Sequence, residues 1–255
     1  MSAIVVIRRR GLARCLTSVS ALTAFAVLLL LLTGAAGWLG HAWLAGNDAP
    51  RAFEGFQQVR VKTIQTQLDQ IREPYIVVMG DSHAERLFLP SLCGLPVVNA
   101  GMSGATLSDL LDLARKITPP LKAEAVLLSV GTNDIWVKRN PEAGEAANGF
   151  RDRLDLLTQR LSASWSDRRA LIAIPPVSRK EAVQFPRAAA ARYSAMLAQS
   201  CEPERCIYTD LFAEAGSTPG PRSGFSDGVH LRDYARFVRD REDELCRGLG
   251  LTRQK

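Results

Sequence analysis

Four short runs in this sequence hold the residue types of nucleophilic acyl transfer: Gly80-Asp81-Ser82-His83, Asn99-Ala100-Gly101-Met102-Ser103-Gly104, Gly131-Thr132-Asn133-Asp134 and Asp227-Gly228-Val229-His230. A serine hydroxyl attacks a carbonyl only when a base takes its proton. The chain has three histidines, His41, His83 and His230. His41 closely follows a long apolar run, and His83 is next to Ser82, where adjacent side chains diverge at a helix start. His230 comes from a separate loop and can approach Ser82 from across a site. Asp227, three residues before it, can accept the Nδ1 hydrogen and fix the imidazole tautomer. Gly101 can offer a backbone N–H unobstructed by a Cβ, and Asn133 a side-chain amide. With the Ser82 N–H they make three donors for a tetrahedral oxyanion.

Taken singly, each run is also an ordinary turn. Asp or Ser caps helices, Asp-Gly turns chains, and a lone histidine is usually a packed or surface residue. Their joint placement depends on the elements that carry them. Apolar runs at Tyr75–Met79, Pro96–Asn99, Ala125–Val130, Ala170–Ile174 and Ile207–Thr209 read as five buried strands. Helix-period segments separate them: Ala84–Leu92, Thr106–Ile117, Phe150–Trp165, Arg187–Gln199 and about Leu231 to Leu249. Strands alternating with helices predict an α/β fold with a parallel sheet, and such sheets bind ligands beyond the carboxyl ends of their strands. Three of the four runs stand at those ends, and the fourth follows the Gly- and Pro-rich loop 214–226.

In this order the blocks resemble the SGNH (GDSL-type) hydrolases, over residues 75–247. The resemblance implies Ser82 as nucleophile, Asp227 and His230 as the other triad members, and Gly101 and Asn133 as oxyanion donors. It implies a three-layer α/β/α sandwich of about five parallel strands, similar to the flavodoxin-like arrangement, with no metal or organic cofactor. It further implies an acyl-ester substrate, with O-acetylated sugars, lipids and thioesters all within the family's range. One departure stands out: the position after the serine, Leu in the commonest version, is His83. It is expected at the rim, either hydrogen-bonding a polar substrate or solvated. Asp81 is expected to hold its turn and Asp134 the Asn133 loop. Arg179 and Lys180, beyond Pro175-Pro176, are either contacts for an anionic substrate or a solvated loop.

Charge and hydropathy place this domain. The 255 residues carry a net charge of +6, of which Arg8, Arg9, Arg10 and Arg14 supply four, leaving +2 over residues 47–255. The body is nearly balanced, which excludes a basic nucleic-acid-binding stripe. Residues 21–38 are almost wholly apolar and close to the ~20 needed to span a bilayer. The arginines before them predict an N-terminus inside, with Trp38 and Trp43 near the far interface. A cleaved signal peptide with its small-residue site near Ala42–Ala45 is the rival, but the apolar run is longer than the usual h-region of about 7–15 residues. The expected organisation is a basic tip and transmembrane anchor over 1–46, a juxtamembrane stalk over 47–73 and a periplasmic or otherwise extracytoplasmic hydrolase domain over 74–255. Export suits the cysteines: Cys15 stays a thiol, while Cys93, Cys201, Cys206 and Cys246 allow three connectivities. The short spacing favours Cys201–Cys206, leaving Cys93 with Cys246.

The function expected from these readings is a membrane-anchored serine esterase removing O-acetyl groups from an envelope or exported glycan. Its alternatives are a lysophospholipase or acyl-thioesterase, a glycan O-acetyltransferase using the same triad, and a non-catalytic module of polysaccharide assembly.

Overall fold

The computed structural model describes residues 25–34, 37, 52–216 and 224–251. It divides into two units, Met1–Phe56 and Gln57–Lys255. In the first unit residues 25–34 and 37 are helical. No helix among the described residues is long and apolar enough to cross a membrane. The basic tip, both ends of the apolar run, His41 and the two tryptophans lie outside the described residues.

The second unit is built on a sheet whose main strands are β1 (Ile76–Gly80), β3 (Leu95–Gly101), β4 (Ala125–Ser129), β5 (Arg169–Ile172) and β6 (Cys206–Thr209). A two-residue strand, β2 (Ser91–Leu92), pairs antiparallel with β3, and the spatial order is β2-β3-β1-β4-β5-β6. The other five strands are parallel, and leaving out β2 their order is the flavodoxin-like one. β1 and β4 are buried at every position, as strands covered on both faces must be. Ile76 and Val78 of β1, Leu127 of β4 and Ile172 of β5 share one core with Phe212, Tyr234, Val238 and Leu245. The alternate residues Val77, Met79, Val126 and Leu128, also buried, face the opposite layer. Tyr234 and Val238 lie on α6 (Tyr234–Asp240), and Leu245 on α7 (Glu242–Gly248). The remaining helices are α1 (residues 52–70), α2 (Ser82–Glu85), α3 (Leu107–Lys116), α4 (Gly144–Ser164) and α5 (Arg187–Gln199).

The element order follows the sequence closely, and the differences have local causes. The helix expected over Ala84–Leu92 stops at Glu85. Its carbonyls turn instead to the Asn99 amide, which donates to the backbone oxygens of Ala84 (2.8 Å) and Leu87 (3.0 Å). Pro90 then disfavours helix at Leu89, and positive φ at Cys93 and Gly94 turns the chain into the β2–β3 hairpin. The closing helix is two, broken at Arg241 (φ −121°). The stretch expected as a stalk is helical, but from Gln57 onward it belongs to the second unit. Ile64 and Leu68 are fully buried there, and Gln65 bonds both backbone groups of Thr118. Cys201 pairs with Cys206, and Cys93 with Cys246. The second link fastens the β2–β3 turn to α7 across 153 residues. Closing a loop of that size removes several kcal/mol of unfolded-state freedom on the chain-entropy view.

Candidate active site

The register sets the site. Gly80, the last residue of β1, is level with Gly101 on one side and Ser129 on the other, so three of the catalytic runs leave the sheet at one height. A Cβ on Gly80 would lie 1.9 Å from the Ser129 carbonyl oxygen. Only glycine lets β1 turn there. Asp81 donates its N–H to Ser129 O at 3.0 Å, and its side chain caps α2 by accepting the His83 N–H at 2.9 Å. Ser82 is therefore the first residue of a helix turn, its own N–H without an intrahelical partner.

The Asp227–His230 turn approaches from the other side of the site. Ser226 N–H donates to His230 O at 2.7 Å, and Ser178 N–H donates to Gly228 O at 2.7 Å. Gly228 takes φ +93°, a conformation a side chain would strain. The structure brings Ser82, His230 and Asp227 into one line. Ser82 Oγ is 2.8 Å from His230 Nε2, and His230 Nδ1 is 2.7 Å from Asp227 Oδ2. Asp227 Oδ1 meanwhile accepts the N–H groups of His230 (2.8 Å) and Val229 (3.1 Å). Partial burial would raise the Asp227 carboxyl, but these bonds outweigh it and hold the group well below the usual carboxylate range. Arg86 stands 3.6 Å from Asp227 Oδ2 at the exposed edge.

The expected oxyanion donors separate. Asn133 keeps a hydrogen to offer: its Nδ2 donates to Ala105 O at 2.9 Å, leaving the amide's second hydrogen without an acceptor among the described residues, while Asp134 accepts the Leu107 N–H at 3.1 Å. Both tie the loop after β4 to the turn before α3. Gly101 is not a free donor, which corrects the role expected for it. Its N–H is bonded to Asn99 Oδ1 at 2.9 Å, and a Cβ there would meet the Glu85 backbone nitrogen at 2.1 Å. Gly101 is glycine so that α2 can lie against β3. Gly104, in the same run, has the unbonded N–H that such a role needs. It sits at φ +78° beside the Ala105 carbonyl that Asn133 holds, and its N–H bonds no acceptor among the described residues. The signal was present as a second glycine three positions on.

Two supports were not legible. Glu85 accepts the Ser103 N–H at 2.5 Å and lies 4.0 Å from Arg60 Nε. Arg60 also donates to Gly101 O (3.0 Å) and Asn99 O (3.2 Å), so α1 braces the turn that carries Gly104. His83 overturns its expectation. It is neither at the rim nor solvated but 1 % exposed, with Nδ1 2.8 Å from the Tyr234 hydroxyl. Arg179 lines a cavity of about 1250 Å³ with Ile174, Pro175, Val177 and Phe185, beyond the ends of β5 and β6. Neither Ser82, Asn133 nor His230 lines it.

Burial pushes the Asp81 carboxyl up to about 7, helped by the Asp134 carboxylate and opposed by the His83 N–H. A carboxyl raised in the folded state stabilises fully below its unfolded value near 3.8, and that contribution is lost as pH rises through about 7. Asp81→Asn keeps the cap and removes the ionisation. In urea unfolding its stability relative to wild type should rise between pH 4 and pH 8, by on the order of 3 kcal/mol. An unchanged difference at the two pH values would show that Asp81 is not a buried acid.

A hydroxyl held by an imidazole that is held by a carboxylate, with N–H donors on an adjacent turn, defines an acyl-transfer site on a parallel α/β sheet. Residues 69–234 match the family model described as the GDSL-like Lipase/Acylhydrolase family, and the chain belongs to that family of carboxylic-ester hydrolases. A comparison with curated protein sequences found no match. Solved structures share the fold at low identity. A candidate platelet activating factor from Streptococcus pneumonia has a TM-score of 0.60 at 20% identity, covering 77% of this chain and 98% of its own. The lipase/acylhydrolase from Enterococcus faecalis has a TM-score of 0.54 at 20% identity, with 72% and 100% covered. A catalytic mutant of Axe2, an acetylxylan esterase from Geobacillus stearothermophilus, has a TM-score of 0.53 at 19% identity, with 72% and 100% covered.

Proposed function

We propose that the chain is a membrane-anchored, extracytoplasmic serine esterase that removes O-acetyl groups from an envelope or exported glycan. The observation that carries the chemistry is the unbroken line from Ser82 Oγ through His230 to Asp227. Ser82 Oγ attacks the acetyl carbonyl carbon as His230 Nε2 takes its proton, and Asp227 holds the Nδ1 hydrogen of the imidazolium. The oxyanion rests on the N–H groups of Ser82 and Gly104 and on the Asn133 amide. His230 then protonates the leaving sugar oxygen. Water, deprotonated by His230, releases acetate and restores Ser82.

The location rests on the arginine-flanked apolar segment, whose helical part 25–34 exposes Phe25, Leu30, Leu31 and Leu32, and on four cysteines placed to pair. A tethered enzyme suits a polymeric substrate, and Axe2, which shares the fold, is named an acetylxylan esterase and an acetyl-xylooligosaccharide esterase. The cavity beside Ser178, which the triad loop touches through Gly228, carries Ile174, Val177 and Phe185 on its wall together with Arg179, Arg187 and Asp210, and those apolar side chains favour a second reading with a longer acyl chain.

The full chain in detergent, assayed against p-nitrophenyl esters from acetyl to palmitoyl, decides between them. Acetate turnover that falls steeply with chain length is the expected result. Preference for long chains would establish the lysophospholipase or thioesterase reading instead. Absence of turnover, followed by acetyl transfer when a glycan acceptor is added, would mark a transferase.

A further inference from the structure

His83 is a buried imidazole to which the reaction above gives no part. Its surroundings connect the two halves of the site. Ser82 and His230 lie 148 residues apart in the chain and meet at 2.8 Å. One residue after Ser82 and four after His230, a second pair meets: His83 Nδ1 and the Tyr234 hydroxyl, 151 residues apart, also at 2.8 Å. The same hydroxyl oxygen accepts the N–H of Leu231, which directly follows His230, at 3.1 Å. The His83 ring lies 5.4 Å from the His230 ring, centroid to centroid, tilted by 39°. Tyr234 is itself fixed edge-on against Phe212, at 5.7 Å.

Burial shows which link is the firmer. Asp227, the outer support of His230, has a half-exposed side chain (49%) and a competing arginine. His83 and Tyr234 are 1 % and 4 % exposed, where a hydrogen bond is neither solvated nor screened. Burial also drives His83 down to about 3, with His230 and Arg86 adding to the effect, and Tyr234 up to about 12. Both groups are therefore neutral throughout the working pH range. With the Leu231 N–H donating to the hydroxyl, the tyrosine hydrogen is the one available to Nδ1; in that tautomer the imidazole hydrogen is on Nε2, a buried atom with no hydrogen-bond partner among the described residues.

We infer that His83 and Tyr234 form a positioning clamp, which ties the backbone just after His230 to the residue just after Ser82 and so sets the attack geometry. The inference rests on the esterase reading for its kinetic consequence, though not for its structural one. Two groups that must meet within a hydrogen bond lose rate steeply when displaced, by as much as about 100-fold for a shift of about 1 Å.

The test uses the full chain with Tyr234→Phe, which removes one oxygen and keeps the ring, together with His83→Leu and His83→Asn. Asparagine can place its Oδ1 where Nδ1 stood and accept the tyrosine hydrogen. Tyr234→Phe and His83→Leu should each lower kcat by about 10- to 100-fold with KM within about two-fold. The double variant should be no slower than the worse single one, because both remove the same link. His83→Asn should recover most of kcat. Amide exchange at Leu231 should quicken in Tyr234→Phe whatever the reaction is.

Unchanged kcat in Tyr234→Phe, additive losses, a loss confined to KM, or failure of His83→Asn to restore rate would each overturn the clamp. If His83→Leu does not fold, Tyr234→Phe and the exchange measurement still decide. A wild-type chain inactive on every ester, with faster Leu231 exchange in the variant, would sink the esterase reading and leave the clamp standing.

Discussion

Ser82→Ala is expected to lower kcat/KM by about 10⁴- to 10⁶-fold while leaving the fold unchanged. The reason lies in what the hydroxyl does and does not touch. Its Oγ bonds His230 Nε2, whereas the turn that holds it depends on the backbone of residues 80–86 and on the Asp81 cap. Removing one oxygen therefore deletes the nucleophile without loosening α2. Activity remaining after the change should be that of the oxyanion donors and substrate binding alone. The measurement is steady-state hydrolysis of the best ester by both proteins, with thermal unfolding beside it. Equal rates would mean that a different group attacks.

Gly101→Ala should produce a large loss of stability, and it separates two readings of that residue. An alanine keeps the backbone N–H, so a glycine serving only as an oxyanion donor would tolerate the change. The structure gives the opposite expectation. The new Cβ would sit 2.1, 2.4 and 2.6 Å from backbone atoms of Glu85 and Ala84. Neither neighbour can swing aside like a side chain. The short helix must move off β3, and with it Ser82, the Asn99 bonds to its carbonyls and the Glu85 contact to Ser103. Overpacking of this kind costs about 1–3 kcal/mol, and more when backbone must shift. A fall in Tm of roughly 6–12 °C corresponds to about 3 kcal/mol in a domain of this size. Activity should fall with it, because the nucleophile's turn is displaced. A variant as stable and active as wild type would return Gly101 to the donor role.

The sequence carried the parts of the site that are local and periodic. Strands were legible because runs such as Tyr75–Met79 and Ala125–Val130 are almost continuously apolar, as strands buried on both faces are, and too short for a helix. Ser82, Asn133, Asp227 and His230 were legible because their residue types have few other uses together at strand ends. Gly101 and Gly104 could not be told apart, since which N–H is free depends on where the Asn99 side chain turns. The short α2 was hidden for the same reason: its terminator is Asn99, a residue on the neighbouring strand. His83 read as a rim residue because a polar side chain beside a nucleophile is usually wet. Its burial needs Tyr234, 151 positions away, and no local pattern announces that. The helix of residues 52–70 looked polar throughout, and the two residues that seat it, Ile64 and Leu68, were too sparse a stripe to stand out.

The central claim is that His230 activates Ser82 as a nucleophile, and covalent labelling tests it without knowledge of the substrate. A fluorophosphonate probe forms a phosphorus–oxygen bond to an activated serine as fluoride leaves. Incubated with the full chain and followed by peptide mass spectrometry, it should give one adduct per chain on the peptide containing Ser82. Labelling should vanish in Ser82→Ala and slow by orders of magnitude in His230→Ala. An adduct elsewhere, or labelling of Ser82 at the same rate without His230, would contradict the account.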